Sequence, residues 1–212
     1  MSSGPLNLAV LISGSGSTLQ NLIDQVAARK LDARINAVIA SKPNLLGTQR
    51  AIDAKLPAQV VDRHAFNDVA SFSAKVFEHI DESQADLVCC AGWLCLLDIP
   101  ARYQSRVMNV HPALLPSFGG KGMYGQRVHR AVIDHGCKVS GCTVHFVDAT
   151  YDTGPIILQR TCPVLDDDTS ESLAKRVFEE ERIAYPEAIR LFGEGRLVVE
   201  GRRVRVRAEV GR

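Results

Sequence analysis

Long apolar runs, an excess of charge of either sign and paired-cysteine spacings are all missing from this 212-residue chain. No stretch reaches the roughly 20 apolar residues of a membrane-spanning helix. The opening residues, MSSGPLNLAV, lack the basic, apolar, small-residue order of a secretory signal. Lys plus Arg (25) and Asp plus Glu (24) nearly cancel to +1, which argues against nucleic acid or an anionic membrane as partner. An anionic ligand would have to be held by a local site. The six cysteines (Cys89, Cys90, Cys95, Cys137, Cys142, Cys162) form no C-x-x-C, and a chain of this size needs no disulfide framework. A reducing, cytoplasmic protein is expected. Aromatics are only 6% of residues, but the 46% hydrophobic content suffices for a core without staples. One domain over 1–212 is expected, with 1–5 disordered.

Apolar strand-like runs alternate with helix-period segments. Strands are expected at 8–12, 35–40, 58–61, 85–92 and 106–111, and helices at 17–30, 46–55 and 66–82. Continuous apolar strands between helices predict an α/β fold: an open, mostly parallel twisted sheet with helices on both faces. Beyond residue 120 the pattern changes. A helix near 123–135 precedes KVSGCTVHFVD and GPIILQRTCPV, alternating strands that read as antiparallel additions at one sheet edge. A last helix is expected over 169–192, capped by Asp168 or Thr169 and kinked by Pro186. A hairpin about Glu200-Gly201 follows within 196–210.

LISGSGSTLQNLI places a Gly/Ser turn between a strand and a helix. The helix N–H groups and the positive end of its dipole favour an anion there. No Walker lysine follows, Leu19 stands where a dinucleotide fingerprint needs a third glycine, and the second strand ends in ASKPN without an acid. A small monophosphate fits better than NAD. A Ser-capped turn with no ligand is the plainer alternative.

In VMNVHPALLP, Asn109 and His111 are two apart and share one face at the carboxyl end of a strand, where open α/β sheets hold ligands. An amide donor beside an imidazole suits carbonyl chemistry; a strand-end pair that only satisfies nearby backbone is the alternative. Being strand-end and polar, His111 should be removable with little loss of stability. A carboxylate to orient it is offered by Asp152 or Asp148 in DATYDTGP, and spacing does not choose between them. Glu181 falls within the apolar stripe Leu173, Val177, Ala184, Ala188 of the last helix, so it is paired or at a pocket edge. Glu179 and Glu180 read as solvated surface. His129, His135, Cys137, Cys142 and His145 show no recognised metal-ligand spacing.

The stretches VLISGSGSTLQNLI, MNVHPALLPSF, GCTVHFVDATYDTGPIILQ and the Glu-bearing last helix occur in the order seen in phosphoribosylglycinamide formyltransferases, which the chain resembles over about residues 6–200. The resemblance implies a Rossmann-like formyltransferase fold. It implies formyl transfer from 10-formyltetrahydrofolate, as co-substrate, to the amine of glycinamide ribonucleotide, without a metal. On it, Asn109, His111 and Asp152 match the catalytic triad, with His111 held protonated by Asp152. Gly16, Ser17 and Thr18 match the phosphate loop, and Glu181 a glutamate that contacts the ribonucleotide. Leu94, Cys95, Leu96 and Leu97, with Asp148, Ala149, Thr150, Tyr151, Asp152 and Asn109, match the folate site. Cys95 stands where some members have arginine, and a folate-contacting arginine of the 66–72 region is absent. Small-molecule substrates and a monomer or homodimer are implied. A formyltetrahydrofolate hydrolase, or a formyltransferase for another amine, is the alternative.

Overall fold

The computed structural model describes residues 4–208; residues 1–3 of the 1–5 segment and 209–210 of the hairpin segment lie outside them. Two compact units make up the chain, Met1–Met108 and Asn109–Arg212.

The first unit contains β1 (Leu6–Ile12), α1 (Ser17–Ala27), β2 (Ala33–Ala40), α2 (Leu46–Asp53), β3 (Ala58–Val60), α3 (Val69–Glu82) and β4 (Leu87–Cys90). Its strands lie in the order β3-β2-β1-β4, all parallel. Leu8 to Ile12 are wholly buried, as a strand covered on both faces requires, and this is why they read as one apolar run. Phe72, Val76, Phe77 and Ile80 of α3 are buried as the helical spacing implies. That helix starts at Val69 rather than 66 because Asp68 takes the cap position and accepts from the Ser71 N–H. Parallel pairing brings the carboxyl ends of β1, β2 and β4 together. There Ser13 N–H donates to the Gly92 carbonyl (3.2 Å), and Ser41 Oγ donates to Ser13 Oγ (2.8 Å).

Strand β5 (Val107–His111) enters the second unit at Asn109. α4 (Gln126–Asp134), β6 (Val139–Phe146), β7 (Ile156–Pro163), α5 (Ser170–Gly193), β8 (Leu197–Glu200) and β9 (Arg203–Val206) follow. The strand order is β5-β6-β7-β9-β8. β6 and β7 pair antiparallel, as do β8 and β9. The fold is thus a mostly parallel sheet with antiparallel strands at one edge and helices on both faces, as the alternation of elements implies. The Thr169 side chain caps α5 in a capping box with Ser172. The helix runs through Pro186 without interruption.

Candidate active site

Four side chains of the second unit converge at the carboxyl end of β5. His111 is 3% exposed. Its Nε2 lies 2.8 Å from the Phe118 carbonyl oxygen, and its Nδ1 lies 3.5 Å from Asp152 Oδ2. A carbonyl can only accept, so the proton of a neutral His111 sits on Nε2 and the Nδ1 lone pair is turned to the Asp152 side. Asp152 Oδ2 also accepts the Gly120 N–H (2.9 Å). His145 Nδ1 lies 2.8 Å from the Phe146 carbonyl oxygen, which makes Nε2 the acceptor of that ring. Asn109 Nδ2 donates to it at 3.2 Å, and the same Nε2 is 3.7 Å from Asp152 Oδ1.

The DTGP turn owes its composition to this arrangement. A Cβ on Gly154 would lie 1.8 Å from the Phe146 carbonyl oxygen, so no other residue fits. Asp152 has φ 58, a left-handed conformation that Asp tolerates better than most residues. Of the two rival carboxylates, Asp152 meets His111. Asp148 Oδ1 instead accepts from the Thr150 N–H (3.1 Å) and Thr153 Oγ1 (2.7 Å) within its own turn.

Burial pulls the His111 pKa below the ordinary histidine value; the Asp152 charge and the Phe118 carbonyl oppose this without overcoming it, and His145 adds to it. At Asp152 burial acts upward. It is outweighed by the neighbouring His145, His111 and the Gly120 N–H, which together favour the carboxylate, so the carboxyl stays below its usual range. Burial thus favours a neutral imidazole at His111, beside the Asp152 carboxylate. Against the expectation of a protonated His111, burial disfavours the charge, while Asp152 Oδ2 at 3.5 Å from Nδ1 favours it.

Gly16, Ser17 and Thr18 lie in the first unit, at the start of α1. The helix cap is Gly16 at φ 73, with no side-chain cap bond, so the Ser-capped turn considered above is not formed. Among the described residues, the N–H groups of Ser15, Gly16, Ser17 and Thr18 meet no protein acceptor. Leu94 to Leu97 are in the same unit. Leu94 is exposed and Leu97 buried, and the Leu94 N–H donates to Ser13 Oγ (3.0 Å). Burial raises the Cys95 thiol pKa, against the hydroxyls of Ser41 and Ser13.

Glu181 is half-buried on α5, and desolvation alone pushes its pKa up to about 8. It makes no ion pair among the described residues. Glu180, expected to be solvated, is instead paired with Arg160 Nε at 2.7 Å.

Sequence reasoning missed His145, whose part depends on cross-strand placement. Its one visible signal is the spacing from Thr143, which puts both on the same face of β6. Thr143 Oγ1 donates to the Ala113 carbonyl (2.6 Å) and accepts from the Leu115 N–H (3.0 Å) and Gln159 Nε2 (2.9 Å). It thereby holds the chain just past His111.

A parallel α/β sheet with an amide, an imidazole and a carboxylate gathered at one strand end suits acyl transfer, and the chain belongs to the formyl transferase family, matching it over residues 6–189. Phosphoribosylglycinamide formyltransferase of Escherichia coli is 34% identical over 194 residues, covering 91% of this chain and 89% of that one. The crystal structure of glycinamide ribonucleotide transformylase 1 from Symbiobacterium toebii matches with a TM-score of 0.89 at 43% identity, covering 97% of this chain and 95% of that one. The trifunctional purine biosynthetic protein adenosine-3 of Drosophila melanogaster is 38% identical over 91% of this chain, which spans 14% of that relative's length.

Proposed function

We propose that this chain transfers the formyl group of 10-formyltetrahydrofolate to the amine of 5'-phosphoribosylglycinamide, in purine biosynthesis. In this reading residues 1–212 act as one cytoplasmic domain, monomer or homodimer. It works on small molecules, with no part for metal, nucleic acid or membrane. The observation that carries the reading is the cluster of Asn109, His111, His145 and Asp152 with its assigned hydrogen-bond directions.

The chemistry follows from those directions. The amine attacks the formyl carbon, and the carbonyl electrons move to oxygen. Asn109 Nδ2 gives one N–H to His145 and keeps a second for the oxyanion. His111 Nδ1 accepts the proton shed by the attacking nitrogen, and Asp152 stabilises the imidazolium so formed. As the bond to the folate nitrogen breaks, that proton goes to the departing nitrogen, giving tetrahydrofolate and a formamide. Gly16, Ser17 and Thr18 take the phosphate through their unpaired N–H groups, and Glu181 contacts the ribonucleotide. Leu94, Cys95, Leu96 and Leu97 hold the pterin together with Asn109 and the loop Asp148, Ala149, Thr150, Tyr151, Asp152.

The test is tetrahydrofolate release, followed by absorbance, from 10-formyltetrahydrofolate with and without glycinamide ribonucleotide. Release that depends on the ribonucleotide is expected. Release without it would make the protein a hydrolase.

A further inference from the structure

Helix α2 tethers two consecutive carbonyls of the glycine loop. The Gly47 N–H donates to the Gly14 carbonyl (3.2 Å), and Arg50 Nε donates to the Ser15 carbonyl (3.0 Å). Arg50 Nη1 also donates to Gln20 Oε1 (3.1 Å) on the first turn of α1, and Gln20 Nε2 donates to Asp24 Oδ1 (2.9 Å). One guanidinium therefore spans the loop and the helix it feeds.

The direction of these bonds matters for the loop's other side. In a trans peptide the C=O and the following N–H point opposite ways. Drawing the Gly14 and Ser15 carbonyls toward α2 turns the N–H groups of Ser15 and Gly16 away from it. These are two of the N–H groups without a protein acceptor among the described residues, and successive N–H groups in a turn with a left-handed residue form a concavity for an anion. The packing leaves little slack: a Cβ on Gly16 would lie 2.5 Å from Gly47 Cα. Arg50 makes no ion pair with a carboxylate among the described residues. Its guanidinium is spent on the loop.

We propose that Arg50 is a positioning residue for the ribonucleotide phosphate. It acts through the Ser15 peptide, aiming the loop's N–H groups before the ligand arrives, so that binding does not have to order them. The proposal rests on the loop being the phosphate site. A lysine would keep the charge but not the fork that reaches Ser15 and Gln20 together.

The experiment is steady-state kinetics of the full chain and of Arg50→Ala and Arg50→Lys, with inorganic phosphate as inhibitor. In both variants the KM for the ribonucleotide and the inhibition constant of phosphate should rise together by about tenfold, while kcat and the folate KM stay within about twofold. Competition by phosphate in the parent with no change in either variant would overturn the proposal and leave the phosphate loop standing. Recovery in Arg50→Lys would assign the effect to charge and overturn it too, as would equal rises in both KM values. Failure of phosphate to compete with the ribonucleotide in the parent would overturn the phosphate-loop reading itself.

Discussion

The left-handed backbone of Asp152 makes Asp152→Asn a clean probe, because asparagine tolerates φ 58 as well as aspartate does. The variant keeps the shape of the turn and removes the charge that favours an imidazolium at His111. A fall in kcat on the order of 10²–10⁴-fold is expected, with melting temperature nearly unchanged; kcat near that of the parent would remove Asp152 from the reaction. His111→Ala is a poorer probe than the sequence suggested. His111 is buried rather than a wet strand end, and its loss leaves the Phe118 carbonyl unpaired, costing about 1–3 kcal/mol. Glu181 carries a pH signature of its own. Its folded pKa of about 8 lies above the ordinary 4.5. The stability this confers is full below the unfolded pKa and is lost as pH rises through the folded one. Melting temperature should therefore decline between about pH 4.5 and 8 by an amount that Glu181→Gln removes. Profiles of equal slope in the two proteins would show that Glu181 is solvated.

At the scale of elements, the β6–β7 connection decides whether Asp152 reaches His111 at all. Gly154→Ala forces a Cβ against the Phe146 carbonyl, so the turn must open. A loss of about 2 kcal/mol or more in denaturant unfolding is expected, with a fall in kcat as Asp152 is displaced; unchanged stability and activity would mean the turn relaxes freely. This connection also marks the limit of what the sequence showed. The two strands were legible from alternation, and the turn from Asp-Thr-Gly-Pro. The choice between Asp148 and Asp152 was not, because it depends on a backbone angle and on one carbonyl across the turn. His145 was hidden for a related reason. Its ring is oriented by the adjacent Phe146 carbonyl and its role comes from Asn109 on another strand, neither of which is a spacing.

For the whole chain, near-zero net charge means that anions must be bound by local geometry, and unpaired loop N–H groups tethered by Arg50 are such a geometry. The alternation of apolar strands and helices was sufficient to anticipate the mostly parallel sheet, since burial on both faces leaves its mark on every residue of a strand such as Leu8–Ile12. The protonation of His111 was not legible, because it is a balance between desolvation and one carboxylate. The most direct test of the account follows the formyl carbon itself. With 10-formyltetrahydrofolate labelled with carbon-13 at the formyl group and glycinamide ribonucleotide as acceptor, carbon NMR should show the label arriving in a formamide on the ribonucleotide, and Asp152→Asn should slow its arrival. Label appearing only as free formate would contradict transfer to the amine.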